Sequence, residues 1–116
     1  MSSIKVSNAA EENTKYNGIY EKVEEPNDFI KTLMDENPGK VYENVWLKDD
    51  HLAIYRLDTD HLSNKIRKAW FMADLKEHEE DYVNHREPES TEPPTEKWIL
   101  KKNDKVFWSE VSLECF

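Results

Sequence analysis

His78 and His85 stand seven positions apart, in a stretch that also carries Glu77, Glu79, Glu80 and Asp81. Imidazole and carboxylate together are ligand types for zinc and other divalent cations. Helical ligand pairs fall three or four apart, however, and this spacing matches no closed zinc motif. The two histidines are weak metal candidates, and the expectation is a solvated acidic face with no metal and no cofactor. Asp49-Asp50-His51 and Asp58-x-Asp60-His61 also set carboxylates beside histidine. A calcium loop begun at Asp58 needs glycine at its sixth position and glutamate at its twelfth, where this chain has Ser63 and Ala69. Turn chemistry accounts for these aspartates, because Asp accepts hydrogen bonds from its own turn.

A nucleophile needs a base within hydrogen-bond reach and a third group to orient it. Cys115 is the only cysteine and falls in an alternating apolar-polar stretch, so it reads as a strand residue. The two glycines, Gly18 and Gly39, leave no phosphate loop or dinucleotide fingerprint. No catalytic residue is assigned. One cysteine allows no intrachain disulfide. There is no Asn-x-Ser/Thr sequon, no apolar run of bilayer length and no apolar stretch near Met1. The expectation is a cytoplasmic chain without membrane contact.

Charge narrows the partners. Sixteen Lys and Arg oppose 25 Asp and Glu, a net −9. Nucleic-acid binding relies on Lys and Arg displacing counterions, so it is not expected. Within residues 74–96, nine acids face only Lys76 and Arg86. That stretch fits a basic protein partner, with Glu77, Glu79, Glu80 and Asp81 as candidate contacts. Trp46 and Trp108 are candidates for an exposed stacking surface. Trp70 sits inside the uncharged run Ala69–Ala73, and Trp98 adjoins Ile99-Leu100, so both are expected in the core. The chain is expected to be a monomer or weak dimer.

The elements that must position these groups are mostly strands. Residues 1–15 are small and polar and read as a frayed arm, with Ile4 and Val6 allowing a short edge strand. Residues 16–116 read as one β-rich domain. Tyr16 to Val23 is a first strand, bent at Asn17-Gly18. Asn27 or Asp28 caps a short helix whose Phe29, Ile30, Leu33 and Met34 share a face, and Asn37-Pro38-Gly39 ends it. Lys40–Leu47 and His51–Leu57 form a hairpin around Asp49-Asp50. A turn or loop over Asp58–Asn64 precedes the apolar strand Ala69–Ala73. Residues 74–96 read as an exposed acidic loop that allows a helical turn around Leu75 to Val83. Lys97–Lys102 and Lys105–Trp108 form a second hairpin, and Val111 to Cys115 a final strand. The fold class predicted is mainly β, a single antiparallel domain built as a meander or small barrel, with one short helix.

The order of aromatics resembles a small aromatic-rich β module found singly or in tandem in animal and protist proteins. The matching residues are Asn17-Gly18-Ile19-Tyr20, Tyr42, Ala53-Ile54-Tyr55, Trp70-Phe71, Pro93-Pro94-Thr95, Trp98, Trp108 and Val111-Ser112-Leu113-Glu114-Cys115. The resemblance implies a β fold and carries no catalytic signature. The insert at Asn27–Asn37 and the acidic stretch before Pro88 exceed the module's pattern.

The leading functional expectation is a non-enzymatic binding module whose acidic surface faces a basic partner. The alternative is a carrier of a small lipid-like molecule. Gly18-Ile19-Tyr20 followed by Asp28-Phe29 resembles the opening of a fatty-acid-binding or lipocalin-type barrel, and that reading requires an interior cavity. A small metal-dependent or hydrolytic enzyme is the second alternative.

Overall fold

The computed structural model describes residues 3–24, 28–59 and 68–116. Along the chain come β1 (Ser3–Ser7), a 3-10 turn (Glu11–Tyr16), β2 (Gly18–Lys22), α1 (Asp28–Glu36), β3 (Lys40–Lys48) and β4 (Leu52–Thr59). Then follow β5 (Lys68–Asp74), β6 (Glu79–Asn84), β7 (Ile99–Lys102), β8 (Lys105–Trp108) and β9 (Ser112–Cys115). Among the described residues the strands form one nine-stranded antiparallel sheet in the order β8-β7-β6-β5-β4-β3-β2-β1-β9. The meander curls into a half-barrel. β9 pairs with β1, and its Leu113 N–H also reaches the Thr95 carbonyl at 2.9 Å, in the segment leading to β7.

Each face of the sheet has its own core. The concave interior holds Ile4, Val6, Tyr16, Tyr20, Trp46, Leu52, Ile54, Trp70, Met72, Tyr82, Trp98 and Leu113. The outer face carries Ile30, Tyr42, Val45, Ala53, Tyr55, Leu57, Ala69, Phe71 and Ala73. Alternation along β4 and β5 supplies both sets, which is why those strands are apolar on both sides. Helix α1 lies over the outer face, with Ile30 buried and Leu33 and Met34 packed against that layer. It ends where the Asn37 amide donates to the Leu33 carbonyl at 2.8 Å and Gly39 takes a positive φ of 87°. Of the proposed caps, Asn27 lies outside the described residues, as does the stretch 60–67 with Asp60 and His61.

Two bulges re-aim side chains. On β3, Asn44 and Val45 oppose Tyr55 alone, with Asn44 at φ 50°. On β6, Asp81 is inserted between Glu80, opposite Ala73, and Tyr82, opposite Met72.

Three expectations are corrected. The arm 1–15 is not frayed where it is described. Ile4 and Val6 are buried, and β1 is held between β2 and β9. The Asn17 side chain also clamps Ala9, accepting from its N–H and donating to its carbonyl, both at 2.9 Å. Ile4 and Val6 need only one apolar face to be worth burying, and flanking strands satisfy the backbone on both sides. Residues 74–96 are not a loop throughout, because β6 runs through them with Tyr82 and Asn84 buried. Arg56 pins the remainder by donating to Ser90 O at 2.9 Å and to Glu43 Oε2 at 2.9 Å. Trp46 is not an exposed platform but is buried 6.1 Å from Trp70. Trp70 and Trp98 are both core, and the Trp98 indole N–H donates to Pro94 O at 2.8 Å.

Candidate functional site

A cleft of about 450 Å³ opens on the outer face between α1 and the β5–β6 turn. Its lining includes the aromatic pair Tyr42 and Tyr55, with Glu36 on the helix side and His78, Glu79 and Glu80 from the turn and β6. The two tyrosine rings meet edge-on with centroids 5.0 Å apart. Tyr55 also stacks on Phe71 at 6.0 Å, which fixes its ring. Its hydroxyl donates to Glu80 Oε2 at 3.0 Å. Burial, with the Glu80 charge beside it, pushes the Tyr55 phenol well above the usual tyrosine range, and the same causes raise Tyr42. Both tyrosines therefore line the cleft as neutral phenols, unsuited to act as bases.

The β6 bulge divides the acidic candidates. Glu79 and Glu80 line the cleft. Asp81 turns to the interior side, where its Oδ2 accepts from the Tyr16 hydroxyl at 2.6 Å. Glu77 sits exposed in the turn, with its N–H donating to Asp74 Oδ1 at 3.2 Å. His78 lines the cleft at φ 58°, while His85 is exposed beyond the far end of β6. The six residues of β6 between them extend the chain by roughly 20 Å, so the two imidazoles cannot share a metal ion. Among the described residues, no three His, Cys, Asp or Glu side chains are grouped to hold one.

Asp74 anchors the rim of the cleft. Burial works against its charge, yet the Lys15 ammonium at 2.8 Å and the N–H groups of Glu77 and Lys76 hold the carboxyl below the usual range. Lys15, on the 3-10 turn, is raised in return by Asp74. Trp108, the other tryptophan candidate, is 63% exposed at the far side of the sheet, with the Arg86 guanidinium 5.2 Å from its ring. It is not brought together with the acidic candidates.

The sequence reading missed Glu36, Tyr42 and Tyr55 as cleft residues. The signal available was modest. Tyr42 and Tyr55 flank a hairpin turn at positions of one face, and Glu36 ends the helix just before it.

Aromatic side chains occupy the centre of the half-barrel interior. Tyr16, Tyr20, Tyr82, Trp70 and Trp98 are fully buried there and fill it with their own rings. The indole N–H groups of Trp46 and Trp70 and the Arg56 Nε are buried without an acceptor among the described residues. Among the described residues, no helix is long and apolar enough to cross a membrane. No family model, curated protein or solved structure matches the chain.

Proposed function

We propose that this domain is a non-enzymatic binding module whose outer cleft takes a lysine or arginine side chain from a basic protein partner. The supporting observation is the pairing of Glu79, Glu80 and Glu36 with a floor of two neutral tyrosines in one cleft. Carboxylates neutralise a cation, and an aromatic face attracts it further, by about 0.5–2 kcal/mol depending on desolvation. The chain's net −9 steers a basic partner toward this surface from a distance. The carrier reading draws less support, since it needs an interior cavity where the rings sit.

The test is a titration with an arginine- and lysine-rich peptide, followed by amide chemical shifts. The expected result is perturbation at Glu36, Tyr55 and Glu79, weakened by the double variant Glu79→Gln/Glu80→Gln and by added salt. Glutamine keeps an acceptor for the Tyr55 hydroxyl, so the fold is preserved. Binding that ignores both salt and the double variant sinks the reading.

A further inference from the structure

Among the described residues, strand β8 ends the sheet and pairs only with β7. It also holds half of the exposed large apolar side chains among the described residues. Val106 is 67% exposed, Phe107 49% and Trp108 63%, and they are consecutive. Edge strands are ordinarily blunted because their unpaired backbone groups invite another strand. Here the edge instead presents three large apolar residues.

The hairpin geometry fixes which groups are offered. The turn between β7 and β8 is Asn103-Asp104, both with positive φ, 51° and 63°, the two-residue form that suits a right-twisted hairpin. In such a hairpin the pair closing the turn, Lys102 with Lys105, exchanges hydrogen bonds, and bonded pairs then alternate. Leu100 with Phe107 is the next bonded pair. Ser109 continues the series, with its N–H reaching Trp98 O at 3.0 Å. The backbone groups of Val106 and Trp108 therefore face away from β7, toward the open edge. Their side chains share one face of the sheet, and Arg86 sits over the Trp108 ring.

Charge selects the occupant. Residues 97–108 carry Lys97, Lys101, Lys102 and Lys105 against Asp104 alone, a basic patch on a chain of net −9. Lys102 already meets Glu12 at 2.6 Å, showing that the patch attracts carboxylates. Two copies of this hairpin set side by side would bring one basic patch beside another. We infer that the β8 edge docks an extended acidic segment of a protein partner as a tenth strand. Apolar residues of that segment would alternate over Val106 and Trp108, with Glu or Asp flanking them to meet the lysines. This surface and its partner are distinct from the outer cleft and its basic partner.

The probe is a labelled peptide of alternating Val and Thr flanked by glutamates, compared with the same peptide flanked by lysines. The glutamate peptide is expected to bind and to slow amide exchange at Val106 and Trp108, leaving Phe107 unchanged. Val106→Pro removes one outward N–H and spares the β7 ladder, so it should weaken binding at least about tenfold with little change in melting. If Val106→Pro unfolds the hairpin, Trp108→Ala replaces it, with the same loss expected. Equal binding of the two peptides overturns the proposal. So does a concentration-dependent dimer abolished by Val106→Pro without peptide binding, which would give the edge to a second copy.

Discussion

The Tyr16 hydroxyl donates a 2.6 Å hydrogen bond to Asp81, joining the 3-10 turn to the bulge of β6. Tyr16 is wholly buried, and its ring meets Tyr82 edge-on with centroids 5.6 Å apart. Because of the bulge, Asp81 and the adjacent Tyr82 both face this interior cluster. Asp81→Ala should cost about 1–3 kcal/mol, since it leaves a buried phenol without an acceptor. Tyr16→Phe should cost a similar amount, and the double variant should cost less than the two added together. Denaturant unfolding of the four proteins measures the coupling, and strict additivity would show that the bond contributes nothing.

Alkaline pH should unfold the protein cooperatively. All five tyrosines are buried, and all five phenols are raised, chiefly by burial. A raised folded value gives stability that is full below the unfolded value of about 10 and is lost as pH climbs through it toward the folded value. Phenolate absorbance should therefore rise together with loss of the far-ultraviolet strand signal. Phenolate appearing while the sheet remains intact would contradict this.

Gly18→Ala should destabilise the fold by about 1–3 kcal/mol, measured by thermal melting. Gly18 adopts φ 130°, and a Cβ there would meet Lys48 Cε at 3.0 Å. The Lys48 ammonium donates to Lys15 O at 2.7 Å and Asn17 O at 2.5 Å, so the added methyl also disturbs the clamp beneath the 3-10 turn. Lys48→Met should lose that clamp without the backbone strain and so cost less.

Trp70→Ala should cost about 3–5 kcal/mol, enough to unfold a marginal domain. Trp70 is fully buried at the centre of the interior core. A folded variant of unchanged stability would refute its place there.

The Lys15–Asp74 pair gives a window rather than a single limit. Asp74 is held below its ordinary value, so its contribution is present above the unfolded value of about 3.9 and lost as pH falls through the folded one. Lys15 is raised, so its contribution is full below the unfolded value of about 10.4 and lost as pH rises through the folded one. Asp74→Asn should flatten the acid limb of a stability-against-pH curve, and an unaltered acid limb would discount the pair.

Much of the sheet is legible in local sequence, because α1, β3, β4, β5 and the β7–β8 hairpin combine apolar alternation with turn residues. What escapes is set by distant partners. Ile4 and Val6 suggest no more than a short edge strand until β2 and β9 flank them. The acidic run hides β6, because Glu79, Glu80 and Asp81 suggest repulsion, whereas Tyr55 and Tyr16 take two of those charges as hydrogen-bond acceptors. The cleft is less legible still. Glu36, Tyr55 and Glu80 meet only once the helix folds over a face that alternation alone cannot identify. Trp46 and Trp108 have similar neighbours in sequence, and their opposite fates follow from strand order, one inside the sheet and the other on its edge.

The pairing of β1 with β9 brings Ile4 opposite Cys115, and Phe116 N–H reaches Ser3 O at 3.0 Å. Under tension applied through residues 3 and 116, that antiparallel pair is loaded at its open end. Its hydrogen bonds then break in succession, as a zipper opens, instead of sharing the load in shear. Such a domain yields to a weak pull and gives up Ile4, Val6 and Leu113 first.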